Sequence, residues 1–141
     1  MSGKPLTGGC QCGAVRFAAF ELGGAGVCHC RMCQKAFGSV YAPLVTVGRV
    51  EWTRGEPARF RSSSIAQRGF CRDCGTPLTY EPDGDKVDLA IGAFDEPARI
   101  KPTIQHGIEG RIAWVGDIDT LPGSETTERN VRSFQQPDHD S

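Results

Sequence analysis

The chain has 141 residues, enough for one domain with a core of its own. Sixteen basic and seventeen acidic side chains leave a formal charge of −1, so no overall field draws it to nucleic acid or a membrane surface. Met1 to Leu6 hold no apolar stretch suited to an export signal, and no run of about 18 apolar residues could span a bilayer. A cytoplasmic location is the expectation.

Eighteen Gly and nine Pro argue for strands and turns rather than a helical bundle. In chain order, a polar lead-in reaches Cys10-Gln-Cys12-Gly13, and Ala14 to Phe17 alternates as a strand leaving that turn. Gly23 to Gly26 reads as a flexible turn. Cys28-His-Cys30-Arg-Met-Cys33 follows, with Gln34 to Phe37 as one helical turn before Gly38. Tyr41–Val47 and Val50–Thr53 read as two strands about a Gly48-Arg49 turn, and Arg59–Ile65 as another strand. Cys71-Arg-Asp-Cys74-Gly75 is a second knuckle, running into a strand over Thr76–Tyr80. Pro82 to Asp85 is a turn. Val87–Ile91, Thr103–Ile108 and the short Ile112–Val115 complete the strands. The fold class is mainly β with little helix, over 1–121. Residues 122–141 are nearly all polar and form a tail expected to be disordered.

Seven cysteines is an odd count in a chain without an export signal, and disulfides are rare in the cytosol, so metal ligation is the better reading. The two knuckles Cys10/Cys12 and Cys71/Cys74 each end in Gly, which supplies the positive φ such turns need. Together they provide four thiolates, the full set of a closed, structural zinc. Cys28, Cys30 and Cys33 remain, three ligands with a fourth position open, the pattern of a reactive zinc. A thiol bound there would be held as thiolate near neutral pH. Neighbours at i, i+2 would strain a disulfide, the spacings are not those of ferredoxins, and a redox Cys-x-x-Cys explains neither Cys10/Cys12 nor Cys28.

Seven thiolates with two Zn²⁺ carry a net −3, and the segment 49–72 contributes six arginines against Glu51 and Glu56. Some of these could offset the thiolates or meet an anionic substrate, although a solvated strand edge is the simpler reading. Lys35 is a candidate substrate contact. His29 is expected to be exposed beside the site, His106 to be packed within a strand, and His139 to lie in the tail.

The segments Gly8-Gly9-Cys10-Gln-Cys12-Gly-Ala-Val-Arg-Phe17, Cys28-His-Cys30-Arg-Met-Cys33-Gln-Lys-Ala-Phe-Gly38 and Phe70-Cys71-Arg-Asp-Cys74-Gly-Thr-Pro-Leu78 resemble the glutathione-dependent formaldehyde-activating family, which includes centromere protein V. Ile91 to Pro97 and the Trp114 region are similar too, so the resemblance spans roughly 6–116. It implies a β-tent fold of small antiparallel sheets around zinc knuckles. It also implies two Zn²⁺ per chain: a structural ion on Cys10, Cys12, Cys71 and Cys74, and a catalytic ion on Cys28, Cys30 and Cys33. The implied activity is that of a carbon–sulfur lyase-type enzyme, S-(hydroxymethyl)glutathione synthase, with glutathione and formaldehyde as partners. The alternative is a non-catalytic zinc-binding interaction module, its central site closed by a partner chain, His29 or Asp73. A thiol-rich metal buffer or redox sensor is a third reading.

Overall fold

A computed structural model of the chain describes residues 3–126 and 132–135. Eight strands form the framework: β1 (Leu6–Gly9), β2 (Arg16–Cys28), β3 (Ala42–Arg54), β4 (Ala58–Ser63), β5 (Ala66–Phe70), β6 (Pro77–Pro82), β7 (Val87–Ala90) and β8 (Ile104–His106). One α-helix, α1 (Arg31–Phe37), sits between β2 and β3. The fold is mainly β, as expected. Strands are hydrogen-bonded in the order β1-β2-β3-β7-β6-β5-β4, all antiparallel, while β8 lies parallel against β2.

Two expected turns are absent. Gly23 to Gly26 continues β2, and between the pairs Leu22↔Val47 and Ala25↔Val45 the strand carries one residue more than its partner. The glycines therefore take up a β-bulge, which bends the strand without ending it. Gly48-Arg49 lies in the middle of β3, directly across from Glu21. A Cβ on Gly48 would run into the Glu21 side chain, so this glycine permits close approach between strands rather than a reversal. Ile112–Val115 also departs from expectation: Ala113–Thr120 is a 3-10 helix with no buried residue. Thr103–Ile108 contracts to the three residues of β8, and His106 there is exposed rather than packed.

Alternation along the strands sends Phe17, Val45, Leu78 and Leu89 into a core that excludes water. Phe17 meets Trp52 and Phe94 edge-on, with ring centroids 5.8 and 5.1 Å away. Arg16 and Asp95 form a buried two-pronged ion pair at 2.9 and 2.7 Å, and the Thr7 hydroxyl donates to the same carboxylate at 2.6 Å. This ties β1, β2 and the 91–95 turn together. Removing one partner of such a pair costs about 3–5 kcal/mol because it strands a buried charge.

The β1–β2 and β5–β6 connections lie far apart along the strand order. Yet Cys12 from the first is 3.8 Å from Cys71 of the second, sulfur to sulfur. The sheet therefore curls until its two cysteine hairpins meet. Residues 122–126 and 132–135 hold no helix or strand and are exposed. The rest of the expected tail, with His139, lies outside the described residues.

Candidate metal centres

The first cluster is built from two hairpin turns. In each, a backbone ladder closes the loop: Cys10 N–H to Val15 C=O at 3.0 Å, and Cys71 N–H to Thr76 C=O at 3.0 Å. Gly13 and Gly75 both have φ of 82°, the left-handed conformation inferred from the two Gly-ended motifs. The turns also aim N–H groups at sulfur, Val15 to Cys10 at 3.2 Å and Asp73 to Cys71 at 3.4 Å. Thr76 links the two turns, since its Oγ1 accepts from Gln11 N–H at 2.9 Å and lies 3.2 Å from the Cys74 sulfur.

The sulfurs of Cys10, Cys12, Cys71 and Cys74 all lie within 4.8 Å of one another. Cys10 to Cys12 is 3.7 Å and Cys12 to Cys71 is 3.8 Å. A tetrahedron with zinc–sulfur bonds of about 2.3 Å has an edge of about 3.8 Å, so the spacing fits a zinc ion. Proton affinities point the same way. Ala14 N–H pulls the Cys12 thiol down, but burial and the crowded thiols of Cys10, Cys74 and Cys71 outweigh it and push Cys12 up to about 12. Burial raises Cys74 too, yet hydrogen bonds from Thr76 and backbone amides prevail and bring it down to about 6. Four thiols this close resist ionising together unless a cation joins them.

The second cluster arises differently. Cys28 ends β2, and Cys30 is the N-cap of α1, with its sulfur accepting from Cys33 N–H at 3.4 Å. An N-cap side chain folds toward the third helical residue, so a C-x-x-C spacing at a helix start brings both sulfurs to one side. Gly38 closes the helix in the left-handed conformation at φ 58°. Cys28, Cys30 and Cys33 lie within 4.8 Å of one another, and among the described residues no histidine or carboxylate joins them. This donor set also suits a soft divalent metal and leaves a tetrahedral position open.

His29 is not exposed as expected. It is 1% accessible, donates its backbone N–H to His106 C=O at 2.9 Å, pairs Nε2 with Gln105 Oε1 at 2.9 Å, and meets Tyr41 edge-on. It braces the turn between two cysteines. Gln34, also buried, donates its amide to the carbonyls of His29 at 2.8 Å and Gly110 at 3.0 Å. The two side chains clamp segment 104–110 over the three thiols. Gly107, at φ 61°, passes so close that a Cβ there would stand 2.9 Å from Cys30 N and 3.4 Å from Cys28 Sγ.

Sequence reasoning missed His29, Gln34 and Gly107 as supports, because Gln105, Gly107 and Gly110 reach them only through tertiary contact. Arg68 was lost within the arginine-rich segment. Arg49, Arg59 and Arg61 there pair with Glu51, Glu81 and Asp83. Arg68 is instead buried, with Nη2 donating to Cys33 Sγ at 3.4 Å and its guanidinium over the Tyr80 ring at 4.7 Å. Burial pushes the Cys33 thiol up to about 12 against the downward pull of Arg68. Cys30 is lowered: burial raises it, but hydrogen bonds led by Cys33 N–H outweigh that.

One cleft touches the three-thiol cluster and another lies one side chain away from it. A cleft of about 190 Å³ is lined directly by Cys28, with Thr46, Asp88 and His106 on its walls. A larger one of about 420 Å³ lies between α1 and β4–β5, and holds Lys35. No cysteine lines it, but Arg68 on its wall donates to Cys33 Sγ and so connects it to the thiols. No helix of the described residues is long and apolar enough to cross a membrane.

Comparison with known proteins agrees with this geometry. A Schizosaccharomyces pombe protein described as an uncharacterized lyase is 29% identical over 89 residues, a match covering 62% of this chain and 65% of that protein. The sequence profile of the glutathione-dependent formaldehyde-activating enzyme family matches residues 5–109, which contain all seven cysteines. The chain belongs to that family.

Proposed function

We propose that the chain is a zinc-dependent enzyme of the carbon–sulfur lyase type, acting on a small thiol such as glutathione and a small electrophile such as formaldehyde. In this reading Cys10, Cys12, Cys71 and Cys74 hold a structural zinc, and Cys28, Cys30 and Cys33 hold a catalytic one. The observation that carries it is the three-thiol cluster, short of one ligand and opening through Cys28 onto a cleft.

Zinc bound to such a set supplies Lewis acidity and favours the thiolate form of a further thiol. The remaining tasks belong to the chain. Cys30, as helix cap, and Cys33 are held at fixed spacing by α1. Arg68 holds its positive guanidinium against the Cys33 sulfur and so tempers the excess negative charge of the cluster. Gly107 lets segment 104–110 close over the thiols and limit access. The narrow Cys28 cleft admits a small electrophile, while the wider one, with Lys35 at its edge, suits a larger anionic thiol. In the addition, the sulfur–carbon bond forms, the carbonyl π bond opens, and its oxygen takes up the proton the thiol gave up.

Zinc-loaded protein should accelerate at least one thiol–aldehyde pair above the uncatalysed rate, with glutathione and formaldehyde tried first. If every pair reacts at background rate, the interaction-module reading takes over.

A further inference from the structure

The cleft between α1 and β4–β5 is lined by Arg31, Lys35 and Arg68, together with Met32, Phe60 and Ser62, and no acidic residue faces it. Three cations around one cleft, in a chain of net charge −1, form a local positive site. The decisive groups are its buried ones. Arg68 is 4% exposed, and beyond its bond to Cys33 its Nε and Nη1 have no partner. Ser62 Oγ is equally enclosed and also lacks one. Buried donors on a charged group are rarely left unmet in a finished site. Arg31 engages Gln34 Oε1 with one nitrogen, whereas Lys35 has no ion pair among the described residues.

We propose that this cleft is a carboxylate-binding subsite, with Arg68 and Ser62 as its floor and Lys35 and Arg31 as its rim. The inference rests on the lyase-type reading, because it makes one of the two reactants a carboxylate-bearing molecule. The Tyr80 ring lies against the Arg68 guanidinium, 4.7 Å from centroid to Cζ, and the N–H donors project in the guanidinium's own plane. A carboxylate can take the Nη1–H together with the second hydrogen of Nη2, beside the bond that Nη2 makes to Cys33. Apolar walls from Met32 and Phe60 suit the carbon chain behind it. Because Arg68 also touches Cys33, a carboxylate docked there lies one side chain away from the thiol cluster.

Calorimetry on zinc-loaded protein tests this with two probes. S-methylglutathione carries carboxylates but no free thiol, and glyoxylate carries its carboxylate on the aldehyde. At least one should bind, more weakly as salt rises, and Ser62→Ala and Lys35→Ala should each weaken it at least about tenfold. Arg68→Met should abolish it; if that variant misfolds, the two milder ones decide. Binding of S-methylglutathione alone assigns the subsite to the thiol reactant, and binding of glyoxylate alone to the electrophile. The subsite is overturned if neither probe binds, if the variants bind unchanged, or if inorganic phosphate binds as tightly as the carboxylates. Turnover of 2-mercaptoethanol with formaldehyde is measured alongside. Turnover without probe binding removes the subsite and leaves the lyase-type reading standing. Probe binding without turnover of any thiol–aldehyde pair does the reverse.

Discussion

The two thiol clusters use the same ligand type in opposite ways. Cys10, Cys12, Cys71 and Cys74 sit in two tight hairpins, with glycine turns and amide donors on the sulfurs, and join strands distant in sequence. Cys28, Cys30 and Cys33 sit on a strand end and a helix cap, all within six residues. The first cluster therefore brings two distant hairpins together, and a tetrahedral ion held by its four sulfurs would have no position left over. The second crosslinks almost no chain and is held instead by its neighbours His29, Gln34, Gly107 and Arg68. What a cysteine cluster does depends less on its thiols than on how much chain it ties together and what stands beside it.

The largest expected effect comes from breaking each cluster in turn. Structural zinc contributes about 10–16 kcal/mol of apparent binding free energy, against about 5–15 kcal/mol for a whole domain. Cys74→Ser should therefore leave the chain unfolded or insoluble, whereas Cys33→Ser should keep a native far-ultraviolet circular dichroism spectrum. Equal collapse of both would mean that both clusters hold the fold.

Graded chelation sharpens the same contrast. Metal analysis during titration with a chelator should show two metals per chain leaving in separate steps, the cluster with the open position first. Simultaneous loss, or one metal per chain, would contradict the division into four and three.

Gly107→Ala should act on the second cluster alone. The new methyl would press on Cys30 and occupy a backbone conformation that costs a non-glycine residue about 1 kcal/mol. Retention of the labile metal should fall roughly tenfold while the resistant metal stays, read by competition with a chromophoric chelator. Loss of both metals would show that segment 104–110 supports the whole domain.

The smallest effect separates acid release of metal from ordinary carboxylate protonation. Burial raises the Glu81 carboxyl, but hydrogen bonds from Thr79, Arg59 and Gln67 outweigh it and hold it below its usual range. A carboxyl lowered in the folded state stabilises fully above its unfolded value of about 4.5 and loses that contribution as pH falls through the folded value. Glu81→Gln should therefore be slightly less stable than wild type at neutral pH. That gap, under about 1 kcal/mol, should shrink between about pH 5 and pH 3. A gap that widens in acid would assign the wrong sign to Glu81.

The cysteine grouping, the mainly β class and the two left-handed glycines were legible because each is a local property. Ligand spacing, strand alternation and the positive φ of a knuckle are set by residues within a few positions of one another. Gly23–Gly26 and Gly48 misled for a related reason: glycine marks unusual backbone or close approach, and only the partner strand decides whether that means a turn, a bulge or a tight crossing. Ile112–Val115 has strand-like composition, yet among the described residues it pairs with no strand, and Ala113–Thr120 winds into a 3-10 helix.

By itself the sequence determined that four cysteines come as two matched knuckles and three remain as an open set. Tertiary structure alone decided which arginine of six is buried against Cys33, that His29 turns inward, and that Gly107 covers the thiols. Those contacts join residues some 35 to 80 positions apart. No local pattern encodes them; they exist because the sheet curls and brings β5 and β8 to the same three sulfurs.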